Sequence, residues 1–122
     1  MPSMQGLTII VASADEERFR SALEVAAANA ALDRTTRVFL QGAAASLLQR
    51  MDAEAKEPQG MMGAPTLAQL LEEALALGAS ITICQSGLAL AGMRADQLPE
   101  GVETGGLVEL LASGRNHQLL MA

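Results

Sequence analysis

The chain has no tryptophan, no tyrosine and only two phenylalanines, Phe19 and Phe39, among its 122 residues. A core so poor in rings has to be filled by Ala, Leu and Met. Small side chains let helices sit close to a sheet, which suits a layered α/β domain. Basic charge is scarce as well. Eight Lys and Arg stand against 14 Asp and Glu, for a net charge of −6, and no basic stretch offers a footprint for nucleic acid. Long hydrophobic runs are missing. The segment Leu7–Ala12 falls far short of the ~20 residues that span a bilayer, and Met1–Gln5 lacks the charged start and long apolar stretch of a secretory signal. No stable membrane insertion and a cytoplasmic location are therefore expected. Cys84 is the single cysteine, which excludes an intramolecular disulfide and a Cys-rich metal site. A lone thiol can still act as a nucleophile.

Half of the residues are apolar, enough for a sizeable core, and 122 residues are one domain's worth. Strand-like and helix-like periodicities alternate along residues 1–122. Leu7–Ala12 reads as a buried strand with the near-continuous apolar character of a parallel sheet. Ser13 followed three residues later by Glu16 has the spacing of a capping box. Phe19, Ala22, Leu23, Ala26 and Ala30 then recur at helical intervals, predicting a helix from about Asp15 to Leu32. Thr36–Gln41 is the second strand, and Gly42–Met51 a short helix. Asp52–Pro65 breaks the pattern as a long loop in which Met61-Met62 offers a flexible apolar surface.

Thr66 with Gln69 has a second capping-box spacing. Leu67, Leu70, Leu71, Ala74 and Leu75 form the apolar face behind it, and Gly78 is the stop. Ser80–Cys84 is the third strand, and Ser86 is placed to cap a short helix closed by Gly92. Val102–Thr104, a helix over Gly106–Ser113, and a last strand His117–Met121 complete the chain. Strands alternating with helices predict a mainly parallel five-stranded sheet covered on both faces.

In such a sheet, ligands bind outside the carboxyl ends of the strands. That rule selects Ser13, Gln41, Cys84 with Gln85 and Ser86, and Thr104 with Gly105. Cys84 stands immediately before a helix start, where free N–H groups favour an anion and lower a thiol's pKa; equally, it can be a small buried hydrophobe finishing a strand. His117 begins its strand, so about 17 Å of strand separates its end of the sheet from that of Cys84. A capping or surface role is expected for it. Gly105-Gly106 lacks the spacing of a dinucleotide fingerprint, and Asp15, Glu16 and Glu17 read as partners of a helix dipole.

The stretch Cys84-Gln85-Ser86, Leu88, Leu90, Gly92-Met93, Asp96-Gln97-Leu98, Gly101-Val102-Glu103 and Gly105-Gly106 resembles the DsrE/DsrF-like family. It looks most like the branch labelled peroxiredoxin-like. The resemblance implies a three-layer α/β/α domain that assembles into oligomers and relays sulfane sulfur through a cysteine persulfide. Cys84 is then the acceptor, with no cofactor, and a rhodanese or a TusA-type carrier is the implied exchange partner. Two other readings compete. One is a non-catalytic oligomeric domain binding a small ligand in the crevice at the strand ends; the other is a thiol peroxidase, for which no neighbouring base or resolving cysteine is seen.

Overall fold

The computed structural model describes residues 6–49, 51 and 64–122. Five strands form one sheet: β1 (Gly6–Val11), β2 (Thr35–Leu40), β3 (Ser80–Cys84), β4 (Val102–Gly105) and β5 (His117–Met121). The spatial order is β4-β3-β2-β1-β5. The sequence pattern pointed to a mainly parallel sheet; every pairing in it is parallel. The order follows from the connections. Each step from β1 to β4 moves one strand in the same direction, so right-handed crossovers keep α1 (Glu16–Ala31), α2 (Leu67–Ala76) and α3 (Gln85–Leu90) on one face. The return from β4 to β5 crosses the whole sheet and carries α4 (Leu107–Ser113) over the other face. The result is three layers, α/β/α.

The two faces are unequal. Ile9, Val11, Val38, Leu40, Ile81 and Ile83 alternate onto the first face and pack with Phe19, Leu23, Leu67, Leu71 and Leu88 from the helices. The second face holds a much smaller cluster of Ile10, Phe39 and Leu110, with Leu107 and Cys84 against it. Alanines do the work foreseen for them. Ala22, Ala26, Ala27 and Ala30 all turn inward on α1, bringing its axis close to the sheet.

Local signals set most element ends, with three corrections. The carboxylate of Asp15, rather than Ser13, caps α1 by accepting from the Arg18 N–H at 3.1 Å. A carboxylate at this position meets the positive end of the helix dipole. The Thr66–Gln69 box is reciprocal as read, with bonds of 3.1 and 2.8 Å. Ser86 does not cap α3, because the helix starts at Gln85 and Cys84 itself takes the capping position. Gly42–Met51 opens as a 3-10 turn over Gly42–Ala45, with helical residues following at 46–49. Most of the Asp52–Pro65 loop, including Met61-Met62, lies outside the described residues.

Candidate functional site at the strand carboxyl ends

Cys84 ends β3 and faces the thinly covered side of the sheet, half-buried against the Ile10, Phe39 and Leu110 cluster. The adjacent strands set its neighbours. Gly105 stands opposite it on β4. Gln41 follows Leu40, the partner of Ile83, so it lies beside Cys84 on the β2 side. The Gln41 N–H is held by Val11 O at 2.9 Å, which keeps the chain in line with β1 for one more residue.

At Gly42 the backbone turns sharply, with φ of 58°, a conformation that glycine adopts without the steric cost other residues meet. This turn aims the Gly42 N–H at the thiol. Burial pushes the Cys84 thiol up, but the N–H groups of Gly87, Gly42 and Ser86 and the Ser86 hydroxyl outweigh it, leaving the thiol below its ordinary value. A thiolate here has hydrogen-bond donors from two separate elements, the start of α3 and the turn after β2. Gly87 makes the arrangement possible. A Cβ at that position would stand 2.6 Å from Gly42 O and 3.1 Å from Gly42 N.

The other predicted positions divide. Gln85 and Ser86 are exposed next to the thiol, so a reagent approaching it meets them. Thr104 pairs with Ile83, and the alternation of the strand turns its side chain to the opposite face from Cys84. Ser13 is exposed two residues beyond β1, two strands from β3. The fold therefore gathers Cys84, Gln41, Gln85, Ser86 and Gly105 and leaves Ser13 and the Thr104 side chain apart. The N–H groups at the start of α3, Ser86 and Gly87 among them, are those the helix start predicts. Gly42 is the donor that sequence reasoning missed, and a glycine directly after the β2 strand was the available signal for it. A cleft of about 390 Å³, lined by Met51, Ala68, Leu71, Leu75, Pro99 and Gly101, lies on the α2 side and contains none of these residues.

His117 is at the far end of the sheet, paired with Gly6 at the start of β1. It is neither a helix cap nor a free surface group. Its Nδ1 lies 3.0 Å from the Thr8 hydroxyl, which accepts from Arg37 Nε and Nη2 at 3.1 and 2.8 Å. With its oxygen taken by the guanidinium, the Thr8 hydroxyl donates to a neutral ring. Burial and then the charge of Arg37 lower the imidazole's pKa. Arg37 also reaches Ser113 Oγ at 2.7 Å and Leu110 O at 2.9 Å, so it closes the carboxyl end of α4.

A half-buried thiol fixed at the strand ends of a three-layer α/β/α sheet defines the class of protein. The chain belongs to the DsrE/DsrF-like family, whose sequence model matches residues 5–117. Among solved structures it is similar to the ychN protein from E. coli. That match has 22% sequence identity and a TM-score of 0.67, and covers 98% of this chain and 100% of the other. No curated protein matches by sequence. Among the described residues no helix is long and apolar enough to cross a membrane.

Proposed function

We propose that the protein is a cytoplasmic sulfur carrier, or a subunit of a sulfurtransferase, that accepts sulfane sulfur on Cys84 and passes it on. Membership of a sulfur-relay-related family supports this reading, and one observation carries it. The N–H groups of Gly87, Gly42 and Ser86 and the Ser86 hydroxyl hold the Cys84 thiol below its ordinary pKa, an environment suited to an anion. A persulfide is an anion at neutral pH, so the donors that favour the thiolate favour the loaded state too.

The exchange balances without a metal, a flavin or a second cysteine in this chain. The Cys84 thiolate attacks the terminal sulfur of a donor such as thiosulfate. The new bond is Cys84 Sγ–S, the donor's S–S bond breaks, and sulfite leaves with the electron pair. In the second step an acceptor thiolate attacks that terminal sulfur and Cys84 leaves as thiolate. Gln41, Gln85, Ser86 and Gly105 border the transferred atom. Ser13 and Thr104 join them only where a bound donor or carrier extends beyond the thiol. The subunit works as a homo-oligomer, with a rhodanese or TusA-type carrier as exchange partner.

The test is the intact mass after incubation with thiosulfate or polysulfide. The reading expects added sulfur, removed by reductant and absent from Cys84→Ser. An unmodified mass with an unreactive thiol would instead leave a ligand-binding domain on the same fold.

A further inference from the structure

Just before β4 the chain makes a tight turn. The Val102 N–H donates to Pro99 O at 3.1 Å, and Gly101, third of the four residues, has φ of 92°. A type II turn requires a positive φ at that position, and glycine supplies it. The turn is therefore a fixed backbone wall. It stands against the flank of α2, because a Cβ at Gly101 would lie 3.1 Å from Leu75 Cδ1. Beside this contact the two walls enclose the cleft of about 390 Å³. Met51 and Leu71 at the cleft belong to the larger core cluster, and Ala68 and Leu75 pack against it. Cys84 packs against the smaller cluster on the other face of the sheet, so the cleft and the thiol are separate.

The lining is of two kinds. Its floor is apolar, with Met51 4% and Leu71 3% exposed. Ala68 lies on the same flank of α2 as Glu72 and Leu75, four and seven residues on, and its small side chain leaves open the space a longer one would fill. The charge is all of one sign. Glu72 on α2 and Glu100 in the turn are exposed and line the cleft from its two walls, and no cationic side chain lines it among the described residues. Among the described residues the ion pairs are Arg18–Asp15 and Arg94–Asp96, so neither glutamate is neutralised by a neighbour.

We infer that this cleft is a binding site for a small organic cation, an amine carried on an apolar body. The volume sets the size of the ligand: it falls within the roughly 300–1,000 Å³ of small-molecule pockets, room for a ring or short chain and too little for a helix of ordinary diameter. The floor sets the body, since Met51 offers an adaptable, polarizable surface beside the leucines. The rim sets the charge. An anion is repelled by both carboxylates and an uncharged ligand leaves them unmatched, whereas an amine at the mouth meets one from each wall. The site does not depend on the chemistry at Cys84.

Protein isotope-labelled at its methionine methyl groups reads binding by NMR, with the Met51 signal identified through Met51→Leu. The probes are phenylbutylamine and its uncharged and anionic analogues, phenylbutanol and phenylbutyrate. The amine should shift the Met51 signal saturably and leave that of Met121, exposed at the opposite edge of the sheet, in place. At low salt it should bind about tenfold more tightly than the carboxylate, the scale of two exposed charge pairs gained in place of two repulsions. Glu72→Gln combined with Glu100→Gln should remove that preference and leave the alcohol's affinity unchanged. Ala68→Leu, which fills the cleft from the flank of α2, should abolish the Met51 shift with the circular dichroism spectrum unchanged. If Ala68→Leu fails to fold, the paired glutamine substitutions still decide. A Met51 signal that does not saturate, equal affinities for amine and carboxylate, or a shift that survives in folded Ala68→Leu overturns the proposal.

Discussion

Replacing Gly87 with alanine sets two physical effects against each other. Helix propensity alone favours alanine by roughly 0.8–1 kcal/mol at an interior position. The neighbours oppose it, because the new Cβ would meet Gly42 O at 2.6 Å, Gly42 N at 3.1 Å and Ala45 Cβ at 3.2 Å. Two of these atoms are backbone in a turn fixed by the positive φ of Gly42, so relief requires moving the turn itself. Overpacking of this kind costs typically 1–3 kcal/mol. Net destabilisation of about 1 kcal/mol is expected by urea denaturation. The chemical consequence is separate: when the turn retreats, the Gly42 N–H leaves the thiol and the thiolate loses a donor. An iodoacetamide pH–rate profile should give the native protein a midpoint below the ordinary thiol value of about 8.5, and Gly87→Ala a higher one. A variant that is more stable than wild type with an unchanged midpoint would refute the claim that the Gly42–Gly87 approach builds the site.

At the other end of the sheet, Gly114→Ala would set a Cβ 2.8 Å from Arg37 Cζ and closer still to Nη2. That would expel the guanidinium from Thr8, Ser113 and Leu110. Thermal or chemical unfolding should show a loss of about 2 kcal/mol, the scale of hydrogen bonds made by a charged group; an unchanged stability would mean that Arg37 contributes nothing there. Because burial and Arg37 lower the His117 pKa, unfolded chains take up a proton that the fold resists. The stability due to the neutral ring is complete above the ordinary histidine value of about 6.5 and is lost as pH falls through the folded value. His117→Gln should flatten the dependence of stability on pH below that point, and parallel profiles for the two proteins would contradict the assignment. Cys84→Ser should cost at most ~1–2 kcal/mol, from placing a hydroxyl where a thiol was. A Cys84→Ser protein that fails to fold would make the thiol a packing element. His117→Ala should leave sulfur loading nearly unchanged, and its loss in a folded variant would contradict the separation of the two ends of the sheet.

The fold was largely legible because each strand carries its own apolar run and each helix its own period. The β-branched residues of Leu7–Val11 and the inward alanines of α1 state their roles in sequence order. The strand-end rule found Cys84 and its register neighbour Gly105 without any geometry. What it could not supply was depth and direction. Thr104 satisfies the rule, yet strand alternation turns its side chain to the wrong face. Ser13 satisfies it too, but two strands away. The capping assignment failed at Ser13 because Asp15, closer to the helix start, takes that position, and at Ser86 because the helix begins one residue earlier, with Cys84 at the cap. The Thr8–Arg37–His117 cluster was illegible for a different reason. Its members come from three strands, and only the sheet order β2-β1-β5 brings them together.

The most direct test of the account follows one sulfur atom in both directions. The protein is loaded with polysulfide, freed of donor, mixed with an excess of an acceptor thiol protein, and monitored by intact mass. The account predicts that sulfur disappears from the peptide containing Cys84 and appears on the acceptor in equal amount, with no transfer by Cys84→Ser. Sulfur that never loads on Cys84, or that loads and stays there, would contradict the role of carrier.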